Sequence, residues 1–284
     1  NFRELFPPSQ RALRTPLASI TLLDNATQDE TKIGPHAGKP FYEELPSLIP
    51  YPVSQGQWQP LAIFAGITFV LSAVMSLEFL IGLPLNLVGW TLLFGYLLKV
   101  MDQSKKSPQS PPPAWDFAKA QQMIVSGAKV LAVFLVYSMV PVTIFLLLMM
   151  ASFLNDLAIA GYAFILLTLL VYAASLFILP AALLVLGNTG QVGAALNPGK
   201  ALSIAKSGAR PYQMLALVFV AAGFACMLVT LLAVFVVDIP IAGFVVAGLL
   251  MAIVFSYGHF IWFHVLGLFS RENPKLSGAQ SVPA

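Results

Sequence analysis

The residues suited to chemistry are few and scattered. His259 and His264 lie in the last apolar stretch, "SYGHFIWFHVLG". Five residues at about 100° each set them about 140° apart on a helix, so a straight helix cannot aim both at one metal ion. Either imidazole could singly serve as the axial ligand of a haem or chlorophyll, and His259, deeper in the stretch, is the better placed. The plainer alternative puts both in an aromatic belt with Tyr257, Trp262 and the neighbouring Phe residues. Glu78 is the carboxylate nearest the middle of an apolar stretch, and reads either as a proton or cation site or as an acid at a hairpin tip. Asp156 and Asp238 fall in short polar breaks and read as solvated, and His36 has no partner in the sequence. Cys226 is the single cysteine, which excludes an internal disulfide and any multi-cysteine metal site. Its apolar neighbours make it a small buried hydrophobe.

No phosphate-binding loop, His-Glu-x-x-His or Gly-x-Ser-x-Gly pattern occurs. "GNTGQVGAALNPG" (187–199) is glycine-rich, but it follows an apolar helix rather than a strand, which argues against nucleotide binding. Two carboxylates within reach of one another are missing too. The chain therefore reads as a non-enzyme with no resident metal. Transport is the next class to weigh. Pro141 and Pro180 could break helices, yet charges inside the apolar stretches are nearly absent, which leaves a neutral or apolar cargo such as a lipid or quinone.

The elements that must position these residues are membrane helices. The chain is 58% hydrophobic and 10% charged, against about 25% charged in soluble domains. Its mean hydropathy is +0.83. A span needs about 20 apolar residues, and on that measure the sequence predicts an all-α integral membrane protein of six transmembrane helices. They pair as three hairpins, 60–101, 126–187 and 212–269, within a domain of residues 59–269. The turns are predicted at Gly82-Leu83-Pro84, Leu154-Asn155-Asp156 and Asp238-Ile239-Pro240.

All 15 Lys and Arg lie away from these turns. They fall before the first span, in the second-to-third and fourth-to-fifth connections, and after the sixth span. The positive-inside bias places both termini in the cytoplasm of a bacterial-type inner membrane or a membrane derived from one. Net charge of only +3 gives no reason to expect nucleic acid as a partner.

One polar phrase occurs twice at a constant offset. "KAQQMIVSGAK" begins at Lys119 and "KALSIAKSGAR" at Lys200, each just ahead of an outgoing span. Asn197-Pro198 is a helix start, with Asn as cap and Pro in the first turn, and the prolines up to Pro113 do the same for the other copy. The phrase predicts short interfacial amphipathic helices before spans three and five, then a Ser-Gly-Ala corner into the membrane. Trp115 would anchor the interface, Lys119 and Lys200 would face the headgroups, and Lys129 and Arg210 would snorkel to lipid phosphates. Bound lipids are expected on this face. The constant offset also suggests that spans three–four and five–six are parallel repeats.

Residues 1–58 read as an extended, proline-rich cytoplasmic tail, and 270–284 as a short cytoplasmic tail. The first tail has no helical or strand period and could not bury enough surface to fold alone. Its isolated apolar groups, Phe2, Leu5 and Phe6 and later Leu48 and Ile49, look like docking points on a partner.

"FGYLLKVM", the loop ending "PPAWDF", "GAKVLAVFLVYSMVP" and "LPAALLVLGNTGQVGAALNPGKAL" together resemble a prokaryotic multi-spanning family, domain of unknown function 4013, over roughly 60–270. The resemblance implies a bundle of membrane helices, and no reaction or ligand. The leading functional expectation is a non-catalytic accessory subunit of a larger membrane complex. Photosynthetic and respiratory assemblies are plausible homes for it. A transporter or lipid- or quinone-handling permease is the alternative, and a pigment- or haem-carrying subunit the third.

Overall fold

In the computed structural model, residues 50–77, 79–107, 110–207, 209–237 and 242–273 are described. Among them there are helices and turns and no strand. The expected docking points Phe2, Leu5, Phe6, Leu48 and Ile49 lie outside the described residues, as do His36, Glu78, Asp238 and the C-terminal tail from residue 274.

The chain enters through a 3₁₀ turn, Tyr51–Gly56. Tyr51, within the segment expected as the N-terminal tail, is buried. Two long helices follow, α1 (Gln59–Leu77) and α2 (Phe79–Lys106). After the proline loop come α3 (Ala120–Phe134), a π-helical turn (Leu135–Met139) and α4 (Val140–Leu154), which together with Phe117 make a continuous 38-residue rod. Next are α5 (Ala158–Thr189), the single turn α6 (Val192–Ala195) and α7 (Pro198–Ser207). The last two are α8 (Ala209–Val237) and α9 (Ala242–Glu272).

Two expectations are corrected here. The first turn is not at Gly82-Leu83-Pro84, because all three residues lie inside α2. Pro84 sits early enough in α2 that its missing N–H removes one bond near an end already short of partners. The Asn86 side-chain amide donates to Gly82 O at 3.1 Å and to Leu71 O at 2.8 Å, tying this end of α2 to α1.

The second correction concerns the repeated phrase. Ser126-Gly127-Ala128 makes no corner, because it lies within α3 and the helix runs straight through it. Only the second copy bends: Pro198–Lys206 and Arg210–Cys226 meet at 115°. The interfacial helix before span three is therefore absent as a separate element, while α7 is present as one. The physical reason is packing. A Cβ on Gly127 would strike the Thr91 carbonyl, and one on Gly95 would strike the Met123 carbonyl. The small residues serve a backbone-close crossing of α2 and α3, the usual currency of helix association in membranes.

Pro141 stands two residues past the end of the π-helical turn. It cannot donate to the carbonyl four residues back, and the widened turn absorbs that mismatch without a kink.

Side-chain contacts fix the directions of the rods. Trp90 meets Phe255 and Phe94 meets His259, so α2 and α9 run parallel. Lys129 reaches Gly190 at one end while Phe153 lies against Gly161 at the other, so α3–α4 and α5 are antiparallel. Phe177 meets Tyr212 and Tyr172 meets Phe224 across α5 and α8, and Phe219 stacks on Trp262 across α8 and α9. Contacts of α1 with both α2 and α9 close the ring. Burial concentrates at the end where α2, α5 and α9 finish and α3 and α8 begin. Toward the opposite end, α4 buries only Ser152.

Among the described residues, four helices are long and apolar enough to cross a membrane: Gly82–Lys106, Phe117–Leu154, Ala158–Thr189 and Val245–Glu272. The bent pair α7–α8 would make a fifth, and Gln59–Val74 is a shorter apolar helix.

Candidate functional site at the packed end of the bundle

The polar groups gather where α2, α5 and α9 end. Asn188, in the last turn of α5, is the hub. Its Oδ1 accepts from Lys105 Nζ at 2.8 Å and from Ser270 Oγ at 3.1 Å, while its Nδ2 donates to Leu184 O. One amide thus knits three helices. Two residues on, Gly190 ends α5 in the left-handed conformation with φ 65°, where a glycine is favoured. Its carbonyl accepts from Lys129 Nζ at 2.9 Å. Lys129 is therefore a cap on the C-terminus of α5, placed where a cation favours the helix dipole. A cavity of about 180 Å³ lies between α2, α3 and α5, and Lys105, Lys129, Ser126 and Asn188 line it.

Sequence reasoning missed Asn188. A signal was available: Val-Leu-Gly occurs at 185–187 and again at 265–267. Both glycines close on Met101, so the two repeats pack α5 and α9 against the same turn of α2.

His264 faces the end of α2. Ser104 Oγ donates to Val100 O at 2.8 Å and its contact with His264 Nδ1 is 2.6 Å. Since the serine has one hydrogen, the imidazole Nδ1–H is the donor in that second bond. The ring stacks on Tyr51 with centroids 3.5 Å apart, which holds the incoming 3₁₀ turn on the bundle.

His259 is also buried, in a different setting. Its Nδ1 lies 2.7 Å from the Phe255 carbonyl, so Nδ1 carries the hydrogen and Nε2 keeps a bare lone pair. Phe255, Trp262, Phe94 and Trp90 surround the ring at centroid distances from 4.0 to 6.5 Å. Among the described residues, His259 Nε2 and Trp262 Nε1 are both buried without a partner. This tautomer is the one a metal-ligating histidine adopts. The close aromatic packing, however, leaves no open face for a flat macrocycle unless Trp90 and Phe94 move.

The remaining expected residues are spread over the same end. Trp115 is half-buried, stacks on Tyr96 at 4.1 Å and donates to Pro60 O at 3.1 Å, so it fastens the proline loop to the bundle. Lys119 pairs with Asp116 at 3.0 Å. Asp116 caps the turn before α3 by accepting from Ala118 N–H, and its Lys119 partner holds the carboxyl below its usual range. Lys200 and Arg210 are exposed. Asn197 is the cap expected of it, accepting from the N–H groups of Gly199 and Lys200. Cys226 is half-buried.

Long apolar helices with a polar cluster at one end define a membrane-embedded, multi-pass protein. The family model described as "Protein of unknown function (DUF4013)" matches residues 78–255, well over half of the chain, and the chain belongs to that family. No curated protein and no solved structure matches it.

Proposed function

We propose that the chain crosses the membrane six times as three hairpins, with both termini on the cytoplasmic side, and acts as a non-catalytic scaffold subunit of a larger membrane assembly. The observation that carries this reading is the arm formed by α4 and the first half of α5. Only 17% of the apolar window of Phe117–Leu154 is buried, against 56% for Ala158–Thr189. Ile144, Leu147, Leu154, Ile159 and Leu166 all stand exposed along it. Apolar surface alone is not adhesive in a bilayer, since lipid tails are equally apolar. The arm nonetheless extends contact area away from the core, where van der Waals packing with a neighbouring subunit can be made without disturbing the bundle.

The test is purification from native membranes in a gentle detergent, with subunit stoichiometry and an absorption spectrum from the same fraction. Stoichiometric partners are expected, and their yield should fall at least tenfold when Ile144, Leu147 and Leu154 are cut back to Ala. A solitary particle carrying only lipid would end this reading and put a permease first.

A further inference from the structure

Lys105 and Lys129 both reach the C-terminal end of α5, two positions apart in sequence. Lys105 donates to the Asn188 side chain and Lys129 to the Gly190 carbonyl. Each ammonium has three donors and uses one here, so donors remain on both. Among the described residues neither lysine meets a carboxylate: the ion pairs there are Lys106 with Asp102 and Lys119 with Asp116. Asp102 also lines the cavity, but its charge is answered by Lys106 at 2.6 Å. Two like charges lining one small cavity repel each other, and an anion in that cavity offsets the repulsion.

Part of the lining is apolar: Leu98 and Leu186 face the same space as the lysines. The cavity opens at the end of the candidate span Gly82–Lys106, where a headgroup layer would lie. A lining that sets two lysines beside leucines suits an amphiphile with a phosphate at its head. Lysine is a common phosphate binder, acting as a point charge with freely turning donors.

We propose that the cavity between α2, α3 and α5 binds a phosphate group, carried by an anionic phospholipid or by a free phosphate compound. The site is separate from the arm that carries the scaffold reading, and either can fail alone. Ser126 belongs to the twice-written polar phrase, so on this assignment the first copy of the phrase contributes a wall of the site.

The test uses the full chain in detergent micelles and native mass spectrometry. The probes are phosphatidylglycerol, phosphatidylcholine and inorganic phosphate, with thermal unfolding followed in parallel. One phosphatidylglycerol should be retained at least tenfold over phosphatidylcholine. Lys105→Ala with Lys129→Ala should lose that preference, Lys105→Arg with Lys129→Arg should keep it, and Lys200→Ala with Lys206→Ala should leave it unchanged. Ser126→Asp keeps both lysines but sets a carboxylate at the cavity wall, and it should also lose the preference, which guards against a double variant that fails to fold. If inorganic phosphate binds with the same dependence on Lys105 and Lys129 while the lipid preference is missing, the source is a free phosphate compound. Retention unaffected by the Lys105/Lys129 pair and by Ser126→Asp, or lost equally on removing Lys200 and Lys206, overturns the proposal.

Discussion

At the scale of the residue, buried hydrogen bonds decide what each histidine does. His264 gives its Nδ1–H to Ser104, which in turn gives its only hydrogen to Val100 O. Ser104→Ala removes the acceptor and strands a buried donor, which costs about 1–3 kcal/mol. The expected outcome is a lower midpoint of thermal unfolding in detergent, together with easier proteolysis near Tyr51, because the ring that Tyr51 stacks on loses its anchor. His259 makes the contrasting case. His259→Leu should leave the visible absorption spectrum of the purified protein unchanged, since Nε2 is enclosed by aromatic rings. A band lost or shifted by that substitution would show a pigment ligated there and restore the pigment-carrying reading.

At the scale of the element, the crossing of α2 and α3 rests on two glycines. Any side chain at Gly127 meets the Thr91 carbonyl, and backbone cannot swing aside as a side chain can. Gly127→Val should therefore destabilise the bundle by about 3 kcal/mol or more, the upper range for forced overpacking, read as a fall in unfolding temperature and in yield. The turn ahead of α3 carries a pH dependence. Asp116 titrates below its ordinary value of about 3.9 because of its Lys119 partner, with the Ala118 N–H assisting. A depressed carboxyl stabilises the turn above that ordinary value and ceases to do so as pH falls through the folded one. Amide exchange at Ala118, corrected for intrinsic rate, should be slower at pH 6 than at pH 3, and Asp116→Asn should abolish the difference.

At the scale of the whole molecule, the alternation of helix directions and the clustering of lysines at one end give a topology that can be measured. In a Cys226→Ser background, single cysteines at Lys106 and Lys206 should react with an impermeant thiol reagent only from the cytoplasmic side. A cysteine at Asn155 should react only from the other side. Asn155 labelled from the cytoplasm would break the six-span reading.

The amino-acid sequence by itself determined what depends on local chemistry. Runs of apolar residues dictate long helices, Asn197 before Pro198 dictates a cap and a helix start, and the absence of Lys and Arg from the turns follows the cost of moving charge across a bilayer. Such signals act within a turn or a span, and a sequence displays them directly. The tertiary structure alone decided the rest. Ser-Gly-Ala reads as a corner in isolation, and the approach of Thr91 is what makes Gly127 a packing residue. Lys129 has its acceptor in Gly190, 61 residues away, which the sequence around the lysine does not announce. The partner of His264 lies 160 residues off in sequence. Such pairings depend on the register of one rod against another, and register comes from the sum of many weak packing contacts, with no short motif that records it.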